Sequence, residues 1–253
     1  MRQNALKALW RDGKPAINAW LGVASSFSAE VMAHAGFDTV TVDTQHGMVD
    51  GQQAIAMLQA ISTTEATPLM RVVWNDPALI MKALDSGAYG IICPMVNTAE
   101  ECRAFVGACR YAPDGYRSVG PARGTLYGGS DYLLHANDEI VTLAMIETRQ
   151  AMDNLEAILD VPGLDGVYIG PNDLSLSLGY AASPDPQDKE VLEAIARVRK
   201  ATKARGQACA MHCTGGAMGR RLIEQGMDLV TVAIDWRMMA LGSAAEIKAA
   251  RGA

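Results

Sequence analysis

Residues 69–96 read LMRVVWNDPALIMKALDSGAYGIICPMV. The stretch opens on an apolar run, Leu69–Val73, and closes on another, Gly90–Val96. Between them Asp76 is placed to cap a helix over Ala78–Asp85, and Ser86-Gly87 is placed to end it. Neither run alternates with polar residues, as expected of parallel strands covered on both faces. This is one strand–helix–strand unit, and the rest of the chain repeats it. Further short runs lie at Ile17–Ala24, Thr39–Val42, Val141–Ile146, Gly166–Ile169, Ala208–Met211 and Leu229–Ile234. Amphipathic stretches fall at Ala54–Ile61, Ala99–Tyr111 and Lys189–Ala204, with Ser28 and Thr98 as further N-caps and Gly36 and Gly226 as stops. Eight runs in 253 residues predict an α/β fold, a single (β/α)8 TIM barrel spanning residues 1–253. A dinucleotide-binding sheet would carry a glycine fingerprint after its first strand, and Trp20-Leu21-Gly22-Val23-Ala24 is not one. The longest loop, Tyr111 to Tyr132, is expected on the catalytic rim.

Composition narrows the function. Hydrophobic residues make up 49% and charged residues 20%, enough apolar side chain for a sizeable core. A net charge of -6 leaves no basic footprint for nucleic acid or an anionic membrane. No apolar run nears the ~18 residues of a membrane span, and the N-terminus lacks the apolar stretch of a signal peptide. The five cysteines, Cys93, Cys102, Cys109, Cys209 and Cys213, are odd in number and form no CxxC pair, so a reducing cytoplasm is expected.

In this fold the chemistry gathers where the strands end. The runs end on Asp43-Thr44-Gln45-His46-Gly47, on Arg71, on Met145-Ile146-Glu147-Thr148, on Gly170-Pro171-Asn172-Asp173, near His212 and at Asp235. Each has a plain structural reading: Glu147 pairing with Arg149, Asp173 capping a short helix, Arg71 in an ion pair, His46 as a loop residue. For His212 a supporting role behind the site, or packing, is the favoured reading. Together, two carboxylates without a neighbouring cysteine or histidine suit a hard divalent cation, which takes oxygen ligands and retains open positions. A 2-oxoacid fills such positions through its carboxylate and keto oxygens, and the cation polarises the keto group. None of the seven lysines falls in a predicted strand, which disfavours imine chemistry.

These residues resemble the HpcH/HpaI family of metal-dependent hydroxy-ketoacid aldolases. The likeness is carried by AWLGVASS (19–26), VDTQHG (42–47), LMRV (69–72), CPMVNTAEE (93–101), RYAPDGYRSVGPAR (110–123), IETRQAMDNL (146–155) and, most specifically, DGVYIGPNDLS (165–175). It implies that Glu147 and Asp173 bind Mg2+, Mn2+ or Co2+. Arg71 would stabilise an enolate, and His46 would act as general base. Gly170, Pro171, Asn172 and Asp173, together with Arg71 and Trp20, would bind substrate. The implied reaction is reversible cleavage of a 4-hydroxy-2-oxoacid to pyruvate, or hydroxypyruvate, and an aldehyde, in aromatic or sugar acid catabolism. The resemblance also implies a hexamer, a trimer of dimers, with Asp85 of a neighbouring chain supporting His46. Asp43 is the candidate within the subunit. The C-terminal stretch from Trp236 to Leu241 is expected to pack on a neighbour. Met145, Asn172 and Gln45 depart from some members, which leaves the substrate open. A CoA-ester lyase of the citrate lyase β-subunit type is the alternative, and a non-catalytic barrel the reading from another class.

Overall fold

The computed structural model describes residues 1–252. Eight parallel strands close on themselves in sequence order: β1 (Ala16–Leu21), β2 (Thr39–Asp43), β3 (Thr67–Arg71), β4 (Gly90–Cys93), β5 (Val141–Ile146), β6 (Gly166–Ile169), β7 (Ala208–His212) and β8 (Leu229–Ile234). Helices connect them, and the (β/α)8 barrel expected from the repeated unit is present. Two layers of apolar packing hold it. Val40, Ile91, Ile146, Val167 and Val230 face outward into the helices. Leu69, Ile92, Leu143, Tyr168 and Leu229 fill the interior. The split follows from the side-chain period of two along a strand.

The bottom of the barrel is stoppered by the helix Ala5–Arg11. Asn4 caps it, accepting from the amides of Leu6 and Lys7, while its own amide nitrogen donates to the carbonyls of Tyr89 (3.0 Å) and Glu139 (2.7 Å). Leu6 is thereby driven, fully buried, into the interior cluster. Other helix ends obey the signals in the sequence. Asp76 accepts from the Ala78 amide, and Thr98 forms a reciprocal cap with Glu101. Gly36, Gly87 and Gly226 take φ of +96°, +98° and +98°, a conformation that L side chains rarely adopt.

Some expectations need correction. The cap of the helix Ser26–His34 is Ser25, not Ser28. β1 stops at Leu21 rather than Ala24, because the amides of Gly22 and Val23 turn to Asp235. β3 runs Thr67–Arg71, so Val72 and Val73 already belong to the rim. The loop Tyr111–Tyr132 is not on the catalytic rim. It joins the helix Ala99–Cys109 to β5, which puts it at the bottom with the amino-terminal residues; the Gly128 carbonyl there accepts from the Arg2 amide at 2.6 Å. Its Gly, Pro and Arg residues fold the segment back on itself: buried Arg117 bonds Asp85 (2.9 Å) and the Tyr132 hydroxyl (3.0 Å).

Leu6→Ala should weaken the stopper by about 2–5 kcal/mol, the usual cost of emptying a buried leucine site. Urea unfolding should show a lower midpoint with an unchanged far-ultraviolet spectrum before the transition.

Candidate active site

A cavity of about 230 Å3 opens at the carboxyl-terminal mouth of the barrel. Trp20, His46, Arg71, Gly170, Pro171, Asn172 and Asp173 line it, as does His212. A larger cleft of about 500 Å3 lies at the opposite end. Two pairs of its charges neutralise each other, Lys7–Asp165 (2.7 Å) and Lys203–Asp228, and it lies away from the strand ends where this fold gathers its chemistry.

Arg71 and Asp43 end adjacent strands in direct register. The guanidinium is therefore forked onto the carboxylate, Nε to Oδ1 at 2.8 Å and Nη2 to Oδ2 at 2.7 Å. The Trp20 ring lies 4.8 Å under the guanidinium carbon. Burial by itself would raise the Asp43 pKa, but the Arg71 bonds and charge outweigh it, and the carboxyl sits below its ordinary value of 3.8. Asp43 also accepts from the backbone amides of Gln45 (3.0 Å) and His46 (3.3 Å). It fixes the loop and the arginine, and it offers nothing to the His46 imidazole. That side chain is exposed at the mouth, with no side-chain hydrogen bond among the described residues. The following Gly47 is dictated by space, since a Cβ there would meet the Asp43 carbonyl at 2.2 Å. Asp85 ends the helix Pro77–Asp85 at the other end of the barrel, on Arg117. The structure brings together every expected residue except Asp85.

Glu147 is buried at the head of β5, and the Met95 amide donates to its Oε1 at 2.8 Å. Met95 holds φ +55°, a strained value for a residue with a side chain. Asn97 secures the turn: its Nδ2 donates to the Met95 carbonyl (2.9 Å), and its Oδ1 accepts from Thr148. Neither residue was picked out from sequence; the turn dipeptide Asn97-Thr98 was the signal available. Arg149, once a possible partner for Glu147, pairs with Glu190. Gly170 is required here as well, since a Cβ would lie 2.4 Å from Glu147 Oε2.

Burial first, and then the charge of nearby Asp173, push the Glu147 pKa up to about 7 against the pull of the Met95 amide and of Arg71. Asp173 is thus close enough to Glu147 for the two carboxylates to feel each other's charge. The described residues hold no group of three or more His, Cys, Asp or Glu able to bind one. A two-carboxylate, all-oxygen site is what a hard divalent ion accepts while keeping its remaining positions for water or substrate. The residues fit such an ion. Among the described residues, no strand and no part of the cavity lining contains a lysine.

The sequence profile of the HpcH/HpaI aldolase/citrate lyase family matches residues 17–240. The chain belongs to this family. It is 44% identical, over 98% of its length and 99% of the other's, to a hydroxypyruvate/pyruvate aldolase of Rhizorhabdus wittichii. It is 43% identical, over 98% of its length and 94% of the other's, to a 4-hydroxy-2-oxo-heptane-1,7-dioate aldolase of Salmonella dublin. The crystal structure of an HpcH/HpaI aldolase/citrate lyase family protein from Burkholderia cenocepacia superposes with a TM-score of 0.92 at 31% identity, covering 98% of this chain and all of that one. An enzyme of carbon–carbon bond chemistry is thereby indicated.

In this member of the HpcH/HpaI family Asp235 is structural. It is buried and accepts from the amides of Gly22 (2.8 Å), Val23 (3.1 Å) and Trp236 (2.8 Å) and from the Ser28 hydroxyl (3.1 Å). Because the folded-state pKa of Asp43 is lowered, its stabilising contribution is complete above pH 3.8 and is lost as pH falls through the lowered value. The difference in Tm between wild type and Asp43→Asn should therefore be flat from pH 7 to about 5 and should close at more acid pH. Melting curves across that range decide it. A gap that widens on acidification would sink the ion-pair account.

Proposed function

We propose that this protein is a divalent-metal-dependent pyruvate-type aldolase that cleaves a 4-hydroxy-2-oxoacid to pyruvate or hydroxypyruvate and an aldehyde, and runs the reverse addition. The observation that carries this is the meeting of Arg71, His46, Glu147 and Asp173 at one mouth. The names of the full-length relatives favour it over a CoA-ester lyase. Glu147 and Asp173 would hold the ion, with Mg2+, Mn2+ and Co2+ all compatible with oxygen ligands. When bound, such an ion polarises the keto group of the substrate.

The chain's own groups then divide the work. No side chain caps the helix Pro171–Ser177, so the amides of Asn172 and Asp173 are left to take the substrate carboxylate. Arg71, held rigid by Asp43 and Trp20, stabilises negative charge growing on the keto oxygen. His46 removes the C4 hydroxyl proton as the C3–C4 bond breaks; its electron pair passes into the enolate of the donor. A proton then returns to C3.

His46 needs a partner to hold its ring, and the same-chain aspartates do not supply one. The proposed partner is Asp85 of a neighbouring copy, within a homo-oligomer that the resemblance makes a hexamer. Supporting this, Met48 near His46 is 78% exposed, and Val119 and Leu126, on the loop that carries Arg117, are 67% and 84% exposed. Trp236, Met238, Met239 and Leu241 are also exposed on the last helix, as a neighbour-packing surface requires. The chain would then act as a single barrel unit whose site is finished by assembly. No helix among the described residues is long and apolar enough to cross a membrane, and the five cysteines are free and buried, in keeping with a reducing compartment.

Glu147→Ala or Asp173→Ala should abolish turnover with the fold intact, and chelation should do so reversibly; full activity after exhaustive EDTA treatment would defeat the reading. His46→Ala should lose about 100- to 10,000-fold in aldol cleavage yet still bind metal and pyruvate. Mixed particles of His46→Ala and Asp85→Asn chains should regain activity that neither parent shows. Reassembled mixtures that stay inactive would exclude the shared site.

A further inference from the structure

His212 ends β7 beside the cavity, edge-on to Trp20 with ring centroids 5.4 Å apart. Beneath it runs a buried chain of polar groups. His212 Nδ1 lies 3.3 Å from the Tyr168 hydroxyl, and that hydroxyl is 2.7 Å from Thr231 Oγ1. Asn18 Nδ2 donates to Thr231 Oγ1 at 2.8 Å. Asn18 Oδ1 accepts from the hydroxyls of Thr39 (2.7 Å) and Thr41 (3.0 Å). Asn18, Thr39, Thr41 and Thr231 are fully buried, and Tyr168 nearly so, which makes a missing bond costly.

The direction of this chain can be worked out from its hydrogens. Thr39 and Thr41 have no other side-chain acceptor among the described residues, so they must donate to Asn18 Oδ1; turning the amide over would strand both hydroxyl hydrogens. With Asn18 Nδ2 then donating to Thr231 Oγ1, the 2.7 Å contact, whose heavy-atom geometry alone would equally let Tyr168 donate, has to carry the Thr231 hydrogen to the Tyr168 oxygen. Tyr168 in turn has only His212 Nδ1 to donate to. Nδ1 is thus an acceptor, and the single imidazole proton sits on Nε2. The reverse order leaves the buried Thr231 hydrogen without a partner, a costly arrangement. Burial first, and then the charge of Arg71, push the His212 pKa down to about 4, so the ring is neutral near pH 7.

We infer that His212 selects the ketoacid donor: a neutral imidazole, oriented by Tyr168 and Thr231, presents Nε2–H to the cavity and binds an oxygen on C3 of the donor. This rests on the aldolase reading. With the donor carboxylate at residues 170–173 and its keto oxygen at Arg71, the remaining carbon is the part left to face His212. The neighbouring walls, Trp20, Met145 and Ile234, offer it mostly apolar surface. A 3-hydroxylated donor satisfies the Nε2–H; pyruvate leaves it unpaired. Tyr168 and Thr231 are positioning residues that act through His212.

Two measurements test this. In wild-type protein labelled with 15N-histidine, with no metal or substrate added, solid-state NMR should show His212 as the Nε2–H tautomer from pH 8 to 5, assigned by its loss in His212→Gln. Tyr168→Phe should shift that tautomer balance. An Nδ1–H tautomer, or a charged ring at pH 7, overturns the orientation argument. In kinetics with one aldehyde, His212→Leu should lower the hydroxypyruvate-to-pyruvate ratio of kcat/KM by about 10-fold, the scale of one hydrogen bond. His212→Gln, which restores a donor near the Nε2 position, should recover most of it. Retained pyruvate turnover with an unchanged ratio overturns the donor role and leaves the aldolase reading standing. An altered preference among aldehydes with an unchanged donor ratio does the same. A wild type inactive on every ketoacid–aldehyde pair would instead remove the aldolase reading, while the tautomer measurement would still stand.

Discussion

A closed barrel of parallel strands admits only every second residue to its interior, and that constraint orders the rest of the molecule. Trp20, Asp43, Arg71, Glu147, Gly170 and His212 share one orientation on their strands or just beyond them. Their alternates, such as Leu21, Val42, Met70 and Ile146, face the helices and are apolar. A shift of one residue in β2, β3 or β5 would exchange the two sets and turn Asp43, Arg71 or Glu147 toward the helices. The apolar outer layer therefore fixes the register of the polar inner one. Arg71 meets Asp43 because β2 and β3 pair those residues directly.

Charge within the mouth is balanced locally. Arg71 is neutralised by Asp43, which leaves Glu147 and Asp173 with excess negative charge. Burial and that neighbouring charge raise Glu147 toward its neutral form, and on the proposed reading a bound cation would balance the pair. Deeper in the barrel the same need is met without ions: Asn18, Thr39, Thr41, Thr231 and Tyr168 satisfy one another and end on His212. The site has a charged upper tier and a neutral, hydrogen-bonded lower one.

The barrel was legible because buried parallel strands are continuous apolar runs, and β5, β6 and β8 match their runs to the residue. The charged tier was legible too, since a Glu or Arg closing such a run has few structural excuses. The lower tier was not. Asn18, Thr41, Tyr168 and Thr231 lie inside strands, where a polar residue reads as a lapse in an apolar run unless its neighbours across the barrel are known. His212 reads as a supporting or packing residue until the chain beneath it is seen. The loop Tyr111–Tyr132 was misplaced because composition says that a loop is special but not which end of the barrel it occupies; only the order of helix and strand does. Asp43 was weighed as a partner of His46, three residues away, when register gives it to Arg71 on the next strand.

The separation of His46 from Asp85 is a consequence of the same architecture. One follows a strand and the other ends a helix, and in a (β/α)8 barrel those are opposite ends of the molecule. The helix Pro77–Asp85 has nine residues, so it alone spans about 13 Å from the rim downward. No rotamer closes that gap within one chain. Asp85 is also not free, since Arg117 holds it in place toward the loop that exposes Val119 and Leu126. That arrangement orients the carboxylate at a surface before any second copy arrives. On the proposed reading, each barrel carries a base without its acid at the top and an acid without its base at the bottom, and association joins them between chains.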